Sequence, residues 1–303
     1  MAVTASLVKE LREMTGAGML DCKNALVEAD GNIKEAIDLL REKGLSKAAK
    51  KAGRIAAQGL VKPVFSADGK KAAIIEINSE TDFVAKNDEF ISFVDNLANM
   101  VLENDPENMD EFMTMSHGDG TVQDALSGMI SKIGENMNIR RFERFDTEGT
   151  VNVGYIHGGG RIGVVIQLAT DASADEVQTL GKDLAMQSAS MAPKFISEKD
   201  VDEDFIESEK KILIQQALNE GKPADIVEKM VVGRLKKELK ETCLLEQKFV
   251  KNGDISVGQY VKDTAKELGK AIEVVGMVRY EVGEGIEKKE ENFAEEVAKQ
   301  MGN

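Results

Sequence analysis

The sequence predicts an α+β protein that combines a small helical domain, two related mixed subdomains and a helical arm. Two segments that resemble a strand followed by a helix recur along the chain, at 72–102 and 161–190. Helical periodicity dominates residues 1–53 and again residues 200–241. A strand leaves one sheet face for its helix to cover, which is the packing of α+β folds.

Residues 1–53 are predicted to form a three-helix domain, because they carry three apolar stripes at helical spacing. The stripes are Leu7, Val8 and Leu11; Met19, Cys22, Leu26 and Ala29; and Ile33, Ile37 and Leu40. Gly31 suits the C-terminal cap of the second helix, and Asn32 suits the N-terminal cap of the third.

The core is predicted to consist of two subdomains with antiparallel sheets, one at 54–147 and one at 148–199 with 242–282. The β-branched run 72–78 predicts a strand of the first subdomain, and the apolar spacing of 87–102 predicts its helix. The matching elements of the second subdomain are a strand at 161–169, a helix at 174–190, a helix at 255–268 and a strand at 271–282. The long segment 104–120 has no predicted element.

Residues 200–241 predict a helical hairpin, interpreted as a coiled-coil docking arm. Gly221 and Pro223 interrupt the helical pattern and suit the bend. The apolar positions expected to face one another are Ile206, Ile212, Leu213 and Leu218 on the first helix and Ile226, Val227, Met230, Leu235 and Leu239 on the second. Residues 283–303 are expected to form a C-terminal module that closes with a helix at 293–301.

The composition favours a cytoplasmic protein that binds neither nucleic acid nor membrane. The net charge of −15 repels phosphate backbones. The best basic cluster, interpreted as a solvated helix end, is Lys47, Lys50, Lys51 and Arg54. Cys22 and Cys243 lack metal-binding spacing, which indicates a reduced compartment. No apolar stretch approaches the roughly 20 residues that span a bilayer, and the N-terminal sequence lacks the pattern of a signal peptide.

One glycine motif resembles nucleotide-binding loops. Gly158, Gly160 and Gly163 satisfy GxGxxG, a pattern that binds dinucleotide phosphates where it follows a strand and opens a helix. Strand-like segments flank these glycines at 151–156 and 164–166, so a hairpin turn is predicted instead. The alternative, a nucleotide-dependent enzyme, predicts direct binding of a nucleotide to the isolated chain.

The sequence offers little other catalytic machinery. It contains no GxSxG nucleophile elbow and no GxxxxGKS/T phosphate loop. Its two histidines, His117 and His157, have no neighbouring cysteine or carboxylate pair at metal-ligand spacing. We therefore expect a protein that is not an enzyme, with no catalytic residue, no cofactor and no metal.

The segment 80–87 places an acid beside a large aromatic residue, between a predicted strand and a predicted helix. In one interpretation Asp82 caps the helix and Phe83 packs into the core, since Asp before a helix is most often a cap. In the other, both side chains protrude toward a partner. The second strand–helix unit has Asp-Ala-Ser at 171–173 and no aromatic there. If packing in the core required an aromatic residue at this place, both units should have one. The comparison therefore favours an exposed pair.

Six segments occur in the order found in one known family. They are TGAGMLDCKNAL (15–26), NSETDFVAKN (78–87), KIGENMNIRR (132–141), YIHGGGRIGV (155–164), GKPADIVEKMVVGR (221–234) and RYEVGEGIEK (279–288). The chain thus resembles the bacterial elongation factor Ts family, exchange factors for the translational GTPase elongation factor Tu. The resemblance covers essentially the whole chain.

The resemblance implies an architecture and a partner. The N-terminal helical domain would be ubiquitin-associated-like, and the hairpin would be a coiled-coil arm inserted into the second half of the core. The partner would be elongation factor Tu bound to GDP, in a one-to-one complex or a dimer of heterodimers. An adaptor that uses the same domain and arm to bind something else stays open; it predicts that Phe83→Ala leaves GDP release unaffected.

The resemblance also implies which residues contact the partner. Asp82 and Phe83 match the family's intruding pair, within a loop implied to dislodge magnesium from the GTPase: Thr81, Asp82, Phe83 and Val84. The other positions that match family contacts are Met19, Leu20, Lys23, Ile133 and His157. Without the resemblance, Ile133 would be interpreted as a core residue and His157 as a turn residue.

Overall fold

The structure is a computed structural model that describes residues 3–15, 17–221 and 223–287. Its helices are α1 (Ala5–Thr15), α2 (Met19–Glu28), α3 (Ile33–Lys51), α4 (Asp82–Ala85), α5 (Asp88–Asn104), α6 (Met109–Thr114), α7 (Val122–Ile133), α8 (Ala174–Met191), α9 (Glu203–Asn219), α10 (Ala224–Thr242) and α11 (Val257–Leu268). Its strands are β1 (Gln58–Phe65), β2 (Ala72–Ser79), β3 (Ser116–His117), β4 (Gly120–Thr121), β5 (Met137–Phe145), β6 (Thr150–His157), β7 (Ile162–Thr170), β8 (Lys248–Phe249), β9 (Asn252–Ser256) and β10 (Ile272–Glu281). The predicted α+β class is confirmed. The predicted closing helix at 293–301 lies outside the described residues.

The chain divides into two compact units. One holds the described residues up to 60, those at 75–141 and those from 282; the other holds 61–74 and 142–281. This grouping follows contacts in space. The division into five domains, one of which combines 148–199 with 242–282, stays a prediction.

The three predicted N-terminal helices are confirmed. They pack around Leu11, Cys22 and Leu26, which are fully buried. Asn32 caps α3, since its side-chain oxygen accepts hydrogen bonds from two backbone N–H groups of the first turn. Met19 was assigned to the apolar stripe of α2, but it is about half exposed. As the first residue of α2 it lies at the end of the stripe, beyond the packed interior of the domain.

The first sheet has the order β1-β2-β5. Every residue of β2 is buried, which explains why apolar residues stand at consecutive positions in 72–75 rather than alternating with polar ones. Helix α5 buries all five of the apolar positions predicted for it, namely Phe90, Phe93, Val94, Leu97 and Val101. Asn87, placed inside the predicted helix, is its N-terminal cap.

The second sheet has the order β10-β7-β6, and both of its pairings are antiparallel. Alternate residues of β7, including Val164 and Ile166, point into a core that they share with Leu180 and Leu184 of α8. Gly181 allows the helix to approach closely, because a side chain there would collide with Val153 of β6.

The predicted helical arm is confirmed as the antiparallel pair α9 and α10. Its core consists of Leu213, Ala217, Val227, Val231 and Leu235, with Ile206 and Leu239 at its margin. Three residues predicted to face inward are instead exposed, namely Ile212, Leu218 and Ile226. Two helices bury only the narrow seam between them, so apolar residues next to that seam stay in solvent.

Candidate functional site

The segment Thr81–Val84, called the tip here, follows β2 and begins α4. Phe83 is 78% exposed, whereas its neighbour Val84 is 5% exposed. Consecutive helical residues point about 100° apart, so one turn of helix can anchor Val84 inside and present Phe83 to solvent. The interpretation in which Phe83 packs into the core is therefore wrong.

Asp82 is the first residue of α4 and forms an ion pair with Lys86, with 2.6 Å between the carboxylate oxygen and Nζ. The cap of the long helix α5 is Asn87, whose Oδ1 accepts hydrogen bonds from the N–H groups of Glu89 and Phe90. An exposed pair such as Asp82–Lys86 contributes only about 0.2–1 kcal/mol.

Carboxylates connect the tip and the residue before it to the segment after α7. Glu135 accepts hydrogen bonds from the N–H of Thr81 at 2.9 Å and from its hydroxyl at 2.7 Å. Glu80 accepts a hydrogen bond from the N–H of Asn136 at 2.5 Å and pairs with Arg54 at 3.4 Å. The tip is thus an exposed aromatic ring on a firmly held backbone. No local pattern in the sequence points to Glu135, which is 54 residues from Thr81 in the chain.

The corresponding connection in the second unit is built differently. Ala172 is buried there, and Ser173 caps α8 in a reciprocal capping box with Glu176. The Ser173 N–H and hydroxyl, with Lys270, lower the pKa of Glu176 to about 2. This connection is an ordinary helix start, so the exposed aromatic is specific to the tip.

Helix α2 presents an exposed face that contains three of the predicted contact residues. Met19 is 49% exposed, Leu20 is 68% exposed, and Lys23 is also exposed. Val27, which was not among the predicted contact residues, is also exposed and lies one helical turn beyond Lys23. Its spacing of four residues from Lys23 places it on the same face of α2. Exposed apolar side chains clustered on so small a domain are typical of an interaction surface.

The remaining predicted contact residues lie in different compact units. Ile133 is half-buried and ends α7, where Gly134 adopts the left-handed conformation (φ +88°). His157 is exposed at the end of β6, with its Nδ1 3.2 Å from the Tyr155 hydroxyl. The hydrogen bonds of Glu135 and Asn136 connect the segment after Ile133 to the tip.

The glycine motif forms the turn between β6 and β7. His157 pairs with Ile162 in the antiparallel register, and Gly158, Gly159 and Gly160 all have positive φ. The predicted hairpin is confirmed, and the helix N-terminus that a dinucleotide phosphate site requires is not present at this position.

Three of the four basic residues in the cluster near the end of α3 are engaged within their own unit. Lys47 pairs with Asp21 at 3.0 Å, Lys51 donates a hydrogen bond to the carbonyl of Gly134, and Arg54 pairs with Glu80. Within the described ranges, no three acidic, histidine or cysteine side chains cluster as metal ligands would. None of the helices described is long and apolar enough to cross a bilayer.

Comparison with known proteins assigns the chain to a family. The family model described as "Elongation factor TS" matches residues 80–284, more than half of the chain. The chain belongs to the elongation factor Ts family. Elongation factor Ts of Clostridioides difficile (strain 630) is 59% identical over 300 residues, covering 99% of both chains. Those of Clostridium perfringens (strain SM101) and Clostridium botulinum (strain Eklund 17B) are each 54% identical over 301 residues, with the same coverage.

Membership of the elongation factor Ts family assigns the chain to protein biosynthesis and guanine nucleotide exchange. The matched range begins at Glu80, so it includes the tip, Ile133 and His157 but not α2. The relatives match across essentially their full length, so they include the region of α2 as well.

Proposed function

We propose that this chain binds elongation factor Tu–GDP and promotes GDP release by disturbing the magnesium and phosphate site, which allows GTP to reload. The observation that carries the proposal is Phe83, a large apolar ring held in solvent on a fixed backbone. Burying a Phe side chain contributes about 1.5–3 kcal/mol. That gain is available only if the ring enters a pocket on a partner.

In the proposed exchange step, binding of the factor and binding of the nucleotide oppose each other. Magnesium neutralises the nucleotide phosphates, so a factor that displaces it weakens nucleotide retention. The same coupling free energy makes nucleotide binding expel the factor. In this scheme Phe83 acts by insertion and Asp82 acts by charge. The chain carries out no covalent chemistry and uses no cofactor.

The tip acts together with a wider contact surface. The other contacts proposed are Met19, Leu20 and Lys23 on α2, Ile133 at the end of α7, and His157 at the end of β6. These contacts hold the factor on its partner, while the tip performs the displacement. We place the reaction in the cytoplasm, without direct contact to nucleic acid or membrane.

Stopped-flow release of fluorescent GDP from elongation factor Tu tests the proposal. Phe83→Ala should lower the maximal release rate about tenfold or more, the equivalent of losing the burial of one Phe. Affinity for nucleotide-free elongation factor Tu should fall much less. Val275→Ala, which shortens another exposed apolar side chain, is the matched control and should leave both quantities unchanged. Equal release rates for wild type and Phe83→Ala would refute the role of the tip.

A further inference from the structure

In the first unit, two loops are joined by hydrogen bonds, because each loop has a glutamate whose carboxylate accepts a hydrogen bond from the other loop. Glu135, just after α7, accepts two hydrogen bonds from Thr81, and Glu80, just before the tip, accepts one from the N–H of Asn136. Glu80, Thr81, Glu135 and Asn136 are called the carboxylate clasp here. Each loop therefore holds the backbone of the other through a charge-assisted hydrogen bond, a type stronger than the neutral kind.

Thr81 does not cap α4 with its side chain. It stands at the N-cap position, where a threonine hydroxyl would ordinarily accept a hydrogen bond from an N–H of the first helical turn. No such bond forms, and the hydroxyl donates to Glu135. The orientation of α4, a helix of four residues, is consequently set by a residue from outside it. A further bond, from the Ser79 hydroxyl to the Thr81 carbonyl at 3.0 Å, holds the other side of that residue.

The clasp also joins two proposed contact positions. Ile133 precedes Glu135 by two residues, and Phe83 follows Thr81 by two. A partner that binds Ile133 would therefore meet Phe83 in a fixed relation to it. We infer that Glu135 is a positioning residue: it holds Thr81 so that Phe83 is presented to the partner in its inserting orientation. The inference rests on the proposed function of the tip.

Amide hydrogen exchange of the free full-length chain tests the positioning directly. In Glu135→Ala the Thr81 N–H loses its acceptor, so its exchange should accelerate about tenfold or more. Glu135→Gln keeps a carbonyl acceptor and should stay near wild type. Glu89→Ala removes the neighbouring surface pair with Lys132 (2.7 Å) and serves as the matched control, with no change at Thr81. Unchanged Thr81 exchange in Glu135→Ala overturns the inference.

Stopped-flow GDP release then separates positioning from general stability. Glu135→Ala should lower the maximal rate about tenfold while the half-saturating factor concentration changes by less than about twofold. Glu135→Gln should restore most of the rate. When Phe83 is already Ala, adding Glu135→Ala should have little further effect, because nothing remains to be positioned.

The outcomes distinguish this inference from the function on which it rests. If Phe83→Ala slows release but Glu135→Ala loosens Thr81 without slowing release, Glu135 is not a positioning residue. Full additivity of the two substitutions would also overturn the inference, since a merely structural role predicts independent effects. If elongation factor Tu releases GDP equally fast with Phe83→Ala and with the wild-type factor, the proposed function fails. The exchange rate of the Thr81 N–H then still shows whether Glu135 holds the tip.

Discussion

Glu76 is a fully buried carboxylate in the middle of β2. It accepts hydrogen bonds from Arg140 at 3.0 Å, from Arg141 at 2.6 Å and from the N–H of Gly283 at 2.8 Å. Burial alone would raise the pKa of this carboxyl group. The hydrogen bonds from Gly283 and Asn78 and the charge of Arg141 outweigh burial, so the pKa lies below its ordinary value. One charged residue in an apolar strand thus secures β5 and the segment from 282.

Glu76→Gln should destabilise the protein by about 1.5–3 kcal/mol, because it removes the buried charge that accepts hydrogen bonds from two partly exposed guanidinium groups. Urea denaturation at neutral pH measures the loss. Glu284→Gln is the matched control: its carboxylate pairs with Arg141 at 3.1 Å but is about half exposed. That change should cost no more than about 1 kcal/mol. If both variants lose similar free energies of unfolding, the burial of Glu76 does not account for its contribution to stability.

At the level of secondary structure, local patterns predicted the long elements well. The apolar spacing of α1, α2, α3, α5 and α8 and the apolar runs of β2 and β7 were visible in the sequence. Helix α7 and strands β1 and β5 were missed. β5 carries charged side chains along much of its length, including Arg140 and Arg141, so it lacks the apolar pattern of a strand. Its place in the sheet depends on partners such as Glu76, which lie far away in the sequence.

The arm offers a test of burial with two adjacent, identical residues. Val231 is 4% exposed in the seam between α9 and α10, whereas Val232 is 66% exposed. Val231→Ala should destabilise the arm by about 1.5–3 kcal/mol, and Val232→Ala should stay within about 0.5 kcal/mol of wild type. Hydrogen exchange of α9 measures the local stability. An equal effect of both substitutions would mean that the two helices do not pair through this seam.

On the scale of the whole molecule, acidic residues outnumber basic ones by 54 to 39, and several carboxyl groups have lowered pKa values. A carboxyl group whose pKa is lower in the folded than in the unfolded state stabilises the fold above its unfolded pKa. That contribution disappears as the pH falls through the folded pKa. Burial raises the pKa of Glu143, so the effect of this residue on stability changes with pH in the opposite direction.

The free energy of unfolding should therefore fall as the pH is lowered from about 4.5 to about 2, the range set by Glu176, whose pKa is about 2 in the folded protein. Urea denaturation at a series of pH values measures this fall. Glu176→Gln should be less stable than wild type near neutral pH, and the difference should shrink toward pH 2. A difference that stays constant over this range would show that the Glu176 carboxylate does not contribute through its ionisation.

Local periodicity, turn chemistry and ordered motifs were enough to predict the α+β class, the helical arm, the hairpin at the glycine motif and the family. They did not determine which apolar residues face solvent, including Phe83, Met19 and Ile212. Nor did they predict that Glu135 holds the tip. Periodicity ranks positions around one helix or strand, whereas exposure and long-range hydrogen bonds depend on what packs against that element. No local pattern carries that information.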